Sequence, residues 1–277
     1  MTWLDSLILG IVQGLTEFLP ISSDGHLSIT QKLLDHFAGR TRSGEENLFF
    51  VVMVHMGTLA AILVYYRWVA LESARGLLRG GEERSGLVRL GLLAIVATLP
   101  AVIVGLLLKK KIEAAFASLG AAGVGFLITG AVLLVTARMK GGEKGPAQTT
   151  FLDALLIGLA QAVAPLPGVS RSGLTITTAL ALGFTRSWAV GFSLLMAIPV
   201  IGGAGVLELK DVTPAMLTPA SIGPILLATV IAGLVGYGAI LWLVRLARAG
   251  ALWYFSVYLF ALGAAVLTIA RGVSTGR

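Results

Sequence analysis

Six stretches of the chain are apolar over about 20 residues, the length that a helix needs to cross a bilayer. Trp and Tyr side chains lie at the ends of several of them, as expected at a membrane–water interface. The pattern predicts an all-α polytopic membrane protein with six transmembrane helices, at residues 48–66, 89–108, 119–138, 188–207, 222–244 and 252–270.

Four further apolar segments are too short to span a membrane, and they form two pairs. The pairs are 3–19 with 27–38, and 151–164 with 173–184, and a polar motif interrupts each pair. Short, Gly/Pro-interrupted segments in matching positions of two halves are typical of re-entrant hairpins around a central site. Non-helical backbone at that depth is tolerated only where it is buried or lines a cavity. We therefore expect two re-entrant helical hairpins.

The two halves of the chain match each other at an offset of 148 residues. Asp5, Gly10, Gln13, Ser22, Gly25 and Thr30 then fall on Asp153, Gly158, Gln161, Ser170, Gly173 and Thr178. Each half holds one hairpin and three spans, and because three is odd the second half enters the membrane from the opposite side. This predicts an inverted-topology repeat, 1–140 and 150–277, in a single membrane domain with both hairpin tips near the midplane.

Composition supports a membrane protein and narrows the chemistry. Only 13% of residues are charged and 56% are hydrophobic, with a mean hydropathy of +0.90. The chain has no cysteine, which excludes disulfides, thiol catalysis and Cys-ligated metals. The net charge of +7 fits basic loops at an anionic membrane surface. No aromatic-basic platform for nucleic acid is visible, so we do not expect nucleic-acid binding.

The basic residues favour one orientation by a thin margin. One face carries 11 of them: Arg67, Arg75, Arg79, Arg84, Arg89, Arg138, Lys140, Lys144, Arg186, Arg245 and Arg248. The other carries 9: Lys32, Arg40, Arg42, Lys109, Lys110, Lys111, Lys210, Arg271 and Arg277. The positive-inside rule then makes the loop 67–89 cytoplasmic.

The two polar motifs concentrate groups that a lipid-facing chain avoids. They cover residues 13–26 and 167–173 and include Glu17, Asp24 and Arg171. Unpaired at bilayer depth, these three ions would cost roughly 8–10 kcal/mol on insertion scales. Intramembrane charges of this kind are candidates for a functional site.

The local sequence predicts an anion site between the motifs. Gln13 and Glu17 share one helix face, and Ser22, Ser23 or Asp24 caps the helix that follows Pro20. Ser170 or Ser172 caps the helix after Pro167–Gly168. Two helix N-termini thus point inward, and Arg171 adds a planar cationic fork. A phosphate or diphosphate fits these groups best.

Hydrolysis needs more than a phosphate cradle. Glu17 can accept a proton or hold a divalent cation, and His26 can shuttle a proton. Ser22 and Ser23 are candidate nucleophiles, and a water molecule is the alternative. Structural roles stay open: the serines could act only as caps, and Glu17 could pair with Arg171 to close the hairpin interface. His55, alone in an apolar span, is most simply a packing or hydrogen-bonding residue.

The two motifs together resemble one family. Gln13-Gly14-Leu15-Thr16-Glu17-Phe18-Leu19-Pro20-Ile21-Ser22-Ser23-x-Gly25-His26, paired with Pro167-Gly168-Val169-Ser170-Arg171-Ser172-Gly173-x-Thr175, is similar to the undecaprenyl-diphosphate phosphatases of the bacitracin-resistance type. The resemblance covers essentially the whole chain. It implies removal of the terminal phosphate of a polyprenyl diphosphate, which regenerates the monophosphate carrier for cell-wall synthesis. It also implies a divalent cation (Mg or Ca) and a site facing the outer side of the bacterial plasma membrane.

The resemblance assigns roles by position. The catalytic residues would be Glu17, His26, Ser22, Ser23 and Arg171. The substrate-binding residues would be Gln13, Asp24, Gly168, Ser170, Ser172, Gly173 and Thr175, and the metal ligands Glu17 and Gln13. Two positions depart from the commonest family pattern: Gln13 stands where many members have a carboxylate, and Asp24 where Thr or Ser is usual. Asp24 could restore the missing charge, so the carboxylates that hold the metal are not assigned.

Taken together, we expect a lipid-diphosphate phosphatase whose partners are the polyprenyl substrate and the bilayer. A transporter or flippase of a phosphorylated polyprenyl lipid is the alternative, because inverted repeats with re-entrant hairpins are common in transporters. The pairing of His26 with Glu17 and two serines favours the enzyme, since transport needs neither nucleophile nor proton shuttle. The 35 glycines permit close helix packing and a homodimer.

Overall fold

The computed structural model describes residues 1–39, 44–79, 81–213 and 219–275. Within these residues the chain is α-helical and has no β-strand. Two 3₁₀ turns occur, at Thr136–Arg138 and Leu209–Asp211. The α-helices of the described residues are α1 Trp3–Phe18, α2 Ser23–Phe37, α3 Gly44–Tyr65, α4 Arg67–Arg79, α5 Gly81–Leu107, α6 Lys109–Ala117, α7 Leu119–Val135, α8 Phe151–Gln161, α9 Arg171–Ala181, α10 Arg186–Glu208, α11 Pro219–Arg248 and α12 Tyr254–Thr275.

Six helices of the described part of the chain are long and apolar enough to cross a bilayer. They are α3, α5, α7, α10, α11 and α12, one for each span predicted from the sequence. The all-α polytopic prediction is confirmed.

The prediction of a loop between the first two spans, at 67–89, is wrong, because the described residues there are helical. This region consists of α4 and the first turns of α5, which begins at Gly81 instead of residue 89. Glu82 and Glu83 lie in the first turn of α5, where the positive end of the helix dipole favours carboxylates. The charged residues before position 89 end the apolar pattern, but they belong to the first turns of the same helix. Arg40, Arg42 and Arg277 lie outside the described residues, and the orientation in the membrane stays a prediction.

The four short helices α1, α2, α8 and α9 match the four short apolar segments, and they begin at the same offset of 148. Thr2 caps α1 and Thr150 caps α8, and in each case a capping box joins the threonine to an aspartate three residues later, Asp5 or Asp153. Each threonine hydroxyl accepts the aspartate N–H at 3.1 Å. Both aspartates therefore lie in the first turn of their helices, where the helix dipole favours them. The re-entrant path and the inverted orientation stay predictions.

The first short helix of each half packs against a span of the other half. Helix α1 packs on α11, and α8 packs on α5. Small residues make these approaches close: a Cβ added at Gly14 would lie 2.7 Å from the Ala232 carbonyl oxygen. Helix α3 approaches α11 more closely still, since a Cβ at Gly57 would lie 2.2 Å from the Thr229 carbonyl oxygen. Small residues at crossings are the usual means of helix association in lipid.

We predict that Gly57→Ala destabilises the protein, because either α3 or α11 must move to admit the methyl group. Overpacking of this kind costs about 1–3 kcal/mol. Thermal unfolding in detergent should show a lower Tm. Gly238→Ala in α11 is the matched control, since a Cβ there meets nothing within 4 Å. Equal Tm values for the two variants would contradict the packing argument.

Candidate active site

The two polar motifs meet in a buried ion pair. Arg171 is the first residue of α9, and its Nη2 donates to Glu17 Oε1 at 2.7 Å, near the end of α1. The other carboxylate oxygen of Glu17 accepts from Gln13 Nε2 at 3.0 Å and from Ser23 Oγ at 2.7 Å. Glu17 is only 7% exposed. The predicted pairing of Gln13 and Glu17 on one helix face is confirmed, and so is the ion pair weighed as an alternative.

In the part of the chain that the structure describes, two polar atoms of this cluster have no hydrogen-bond partner. Among the described residues, Arg171 Nη1 and Gln13 Oε1 are buried without a hydrogen bond. An unmet buried polar group costs about 1–3 kcal/mol, and more when it is charged. One atom is a cationic donor and the other a neutral acceptor, and both belong to side chains that hold Glu17. The site therefore offers a donor and an acceptor to a polar ligand.

Helices α2 and α9 both begin at this site. Ser22 caps α2 by accepting the Gly25 N–H at 3.4 Å, and Ser170 caps α9 by accepting the Gly173 N–H at 3.1 Å. Of the two residues that the sequence left open, Ser170 is the cap of α9. Ser172 Oγ instead donates to Leu19 O at 3.2 Å. This bond joins the start of α9, next to the second tip (residues 167–170), to the first tip (residues 19–22).

Ser22 has an unusual backbone conformation. Its φ is +71°, and it is the one non-glycine residue with a positive φ in the described part of the chain. Such a conformation costs of order 1–3 kcal/mol and is found most often at functional sites. It turns the chain between α1 and α2, so that Ser23 faces Glu17 while the Ser22 hydroxyl serves as a cap.

The second tip lies directly on α7. Gly168 has a φ of +83°, and a Cβ there would lie 2.1 Å from the Ala122 carbonyl oxygen. A Cβ at Gly125 would lie equally close to the Pro167 carbonyl oxygen, and one at Gly25 would lie 2.7 Å from the Phe126 ring. Glycine at 168 is therefore required for backbone conformation and for space. The substrate-binding roles expected for Gly168 and Gly173 stay predictions.

His26 is engaged by partners other than Glu17. Its Nδ1 lies 2.7 Å from the Ser22 carbonyl oxygen, which requires the ring proton on Nδ1. Its Nε2 lies 2.7 Å from the Tyr258 hydroxyl, which donates to it when the ring is neutral. The two rings are stacked with centroids 5.7 Å apart. Tyr258 belongs to neither motif, and sequence analysis did not single it out.

His55 of α3 also faces the ion pair. Its Nε2 lies 3.6 Å from Glu17 Oε2 and 3.8 Å from Asp24 Oδ1, and its Nδ1 bonds to Val51 O at 2.8 Å. The interpretation as a hydrogen-bonding residue is correct but incomplete. An ionisable side chain within an apolar span was the available signal. Thr175, by contrast, fastens its helix to α10 through Ser193, whose hydroxyl lies 2.7 Å away.

Comparisons with known proteins show the family of the chain. The family model of the bacitracin resistance protein BacA matches residues 6–265. The undecaprenyl-diphosphatase of Carboxydothermus hydrogenoformans is 40% identical over 271 residues, covering 97% of this chain and 98% of that protein. The undecaprenyl-diphosphatase of a Nocardioides species is 40% identical over 278 residues, covering 99% and 97%. The chain belongs to the BacA family of bacitracin resistance proteins.

Proposed function

We propose that this chain hydrolyses the terminal phosphate of undecaprenyl diphosphate and releases the monophosphate lipid carrier used in cell-wall synthesis, with bacitracin resistance as the consequence. The observation that carries the proposal is the unpartnered Arg171 Nη1 beside the buried Glu17. The names of the relatives supply the substrate, and the geometry supports a diphosphate site at these residues.

Arg171 can bind phosphate without leaving Glu17. Its Nη2 is held by the carboxylate, which fixes the guanidinium plane, while Nη1 remains available. A phosphate oxygen is the strongest acceptor for such a donor, and charge-assisted bonds of this type are about twice as strong as neutral ones. Fixed donors aimed at developing negative charge give the largest single contribution to many reactions. Arg171 is thus suited to the charge that builds up during transfer.

The two helix N-termini add to this cradle. Helices α2 and α9 both start at the site, where free N–H groups and the positive dipole end favour anions. Ser170 and Ser172 place two hydroxyls at the second tip, 3.2 Å apart. We assign the diphosphate to the space between these N-termini, and the prenyl chain to the groove between the two repeats.

Glu17 and Ser23 supply the polar pair that hydrolysis requires. Ser23 Oγ donates to Glu17 Oε2, so the carboxylate can take a proton from this hydroxyl or from a water at its place. If the Ser23 oxygen attacks the terminal phosphorus, a phosphoserine forms and the lipid monophosphate leaves with the proton that Glu17 took. A water that gives its proton to the freed Glu17 then hydrolyses the phosphoserine to inorganic phosphate. If the water attacks directly, inorganic phosphate and the lipid monophosphate form in one step. Ser22 is less suited to this role, because its hydroxyl already accepts the Gly25 N–H.

The residues fit a divalent cation of the magnesium type. Within the described residues no group of three or more His, Asp or Glu side chains is arranged to enclose a metal. Mg²⁺ seldom needs such a cage, because one or two protein oxygens and the substrate phosphates complete its shell. Glu17 and the unpartnered Gln13 Oε1 would hold it. When bound, the cation would neutralise the diphosphate and polarise its oxygens.

We further propose that the protein lies in the bacterial plasma membrane with its site open to the outer side. The excess of basic residues on one side of the predicted topology, 11 against 9, makes that side cytoplasmic and supports this orientation.

The direct test is phosphate release from a polyprenyl diphosphate by the purified protein in detergent. We expect release by the wild type, its loss on addition of a chelator, and its recovery when Mg²⁺ or Ca²⁺ is returned. Arg171→Ala should be inactive throughout. No release by well-folded wild type would favour the alternative, a transporter in which the same residues hold a phosphate in transit.

Arg171→Lys should lose most of the activity, because a point charge cannot bond Glu17 and phosphate with one planar fork. Removing one fixed donor to a developing oxyanion lowers kcat by about 10²–10³-fold. Arg186→Lys is the matched control, since Arg186 bonds Met139 O and Arg248 O away from the site. Near-normal turnover in Arg171→Lys would remove Arg171 from its role.

Glu17→Gln should abolish hydrolysis but not substrate binding, because the amide keeps the shape and loses the proton acceptor. Loss of a general base lowers the rate by about 10²–10⁴-fold. Binding is measured as the rise in Tm with a polyprenyl diphosphate, and Glu113→Gln on the exposed helix α6 is the control. If binding also disappears, Glu17 acts mainly through the metal or the fold.

A further inference from the structure

A buried threonine outside both motifs holds the second tip. Thr129 lies on α7 and is fully buried. Its Oγ1 accepts the Ser170 N–H at 3.0 Å and lies within donor distance, 3.0 Å, of both the Gly168 and Gly125 carbonyl oxygens. The hydroxyl accepts on one side of Val169, and when its single proton points to Gly168 O instead of Gly125 O it also donates on the other side.

These contacts matter because the tip is not helical. A backbone segment buried in a membrane protein must find partners for its N–H and C=O groups. Helix α7 supplies a partner through the Thr129 side chain. It also packs closely against the tip. A Cβ at Gly173 would lie 3.3 Å from the Thr129 methyl group, and one at Gly168 would meet the backbone of α7.

The position of Arg171 depends on the same contact. Ser170 is the N-cap of α9, and Arg171 is the next residue. The N–H that Thr129 accepts therefore belongs to the residue immediately before the guanidinium-bearing residue. Any shift of Ser170 moves the Cα of Arg171 and changes how its Nη1 is presented beside Glu17.

We propose that Thr129 is a positioning residue of the diphosphate site and acts on the phosphate through Arg171. The inference rests on the proposed function, because it takes the ligand of Arg171 to be a diphosphate. Thr129 itself does not contact the substrate. Its hydroxyl fixes the tip so that the ligand meets an arginine already in place.

The test compares three variants in nanodiscs. Thr129→Val keeps the shape but removes the hydroxyl, and Thr129→Ser keeps the hydroxyl but removes the methyl group. Thr98→Val is the matched control, since buried Thr98 bonds only within its own helix, to Ala94 O. The probe is a polyprenyl methylene-diphosphonate, which cannot be hydrolysed, and phosphate release from the diphosphate is measured in parallel.

We expect Thr129→Val to weaken binding of the probe, and to lower kcat/KM, by about tenfold or more, because the buried Ser170 N–H loses its acceptor and Gly168 O loses a donor within reach. Thr129→Ser and Thr98→Val should remain close to wild type. In an Arg171→Ala background, Thr129→Val should change the affinity by less than about twofold. The effects of two substitutions on the binding free energy do not add when both residues act through one contact.

Two results would overturn the proposal. One is a Thr129→Val protein that binds the probe as well as the wild type. The other is a loss that multiplies with that of Arg171→Ala, which would mean that Thr129 acts independently of the arginine. The proposed function fails separately: wild type that binds the probe but releases no phosphate would contradict the phosphatase and leave the role of Thr129 intact.

Discussion

The ion pair between Glu17 and Arg171 is the interaction on which the rest of the site depends. Each ion alone is costly at membrane depth, and breaking a buried pair by removing one partner typically costs 3–5 kcal/mol, on the order of half of a domain's stability. The 2.7 Å contact joins residues 154 positions apart. The chain must therefore bring the end of α1 and the start of α9 to one point. Helix α1 ends at Phe18 and α9 begins at Arg171, so both helix ends lie at the ion pair.

Close packing fixes that meeting point. Helix α7 receives the second tip through Gly125 and Gly168, and it receives α2 through Gly25. At Gly125 and Gly168 an added methyl group would overlap the backbone of the facing segment, and at Gly25 it would overlap a ring. The second tip is thus held by close backbone contacts in addition to the Thr129 hydroxyl. A rigid support of this kind suits a site in which one arginine must serve both a carboxylate and a phosphate.

The sequence predicted most of the architecture because its signals are local. The six spans follow from apolar length, and the short helices follow from the polar motifs that interrupt the apolar segments. The loop 67–89 was mispredicted because charged residues end an apolar pattern without ending a helix. The pairing of Gln13 with Glu17 followed from helical spacing.

The remaining parts of the site depend on contacts between distant residues. Tyr258 meets His26 across 232 positions, and Thr129 meets Ser170 across 41. No spacing rule predicts such pairs. His55 carried a signal, an ionisable group in an apolar span, but its direction toward Glu17 rather than another interior partner depends on how α3 packs. The unpartnered Nη1 of Arg171 depends on which groups the fold brings around the guanidinium, and the sequence carries no signal for it.

The most direct measurement is an experimental structure of the protein with a non-hydrolysable polyprenyl diphosphate analogue. The account predicts a phosphate oxygen within hydrogen-bonding distance of Arg171 Nη1 while Nη2 still bonds Glu17. It also predicts the diphosphate between the N-termini of α2 and α9. A headgroup bound elsewhere, with Arg171 Nη1 still unpartnered, would contradict the account.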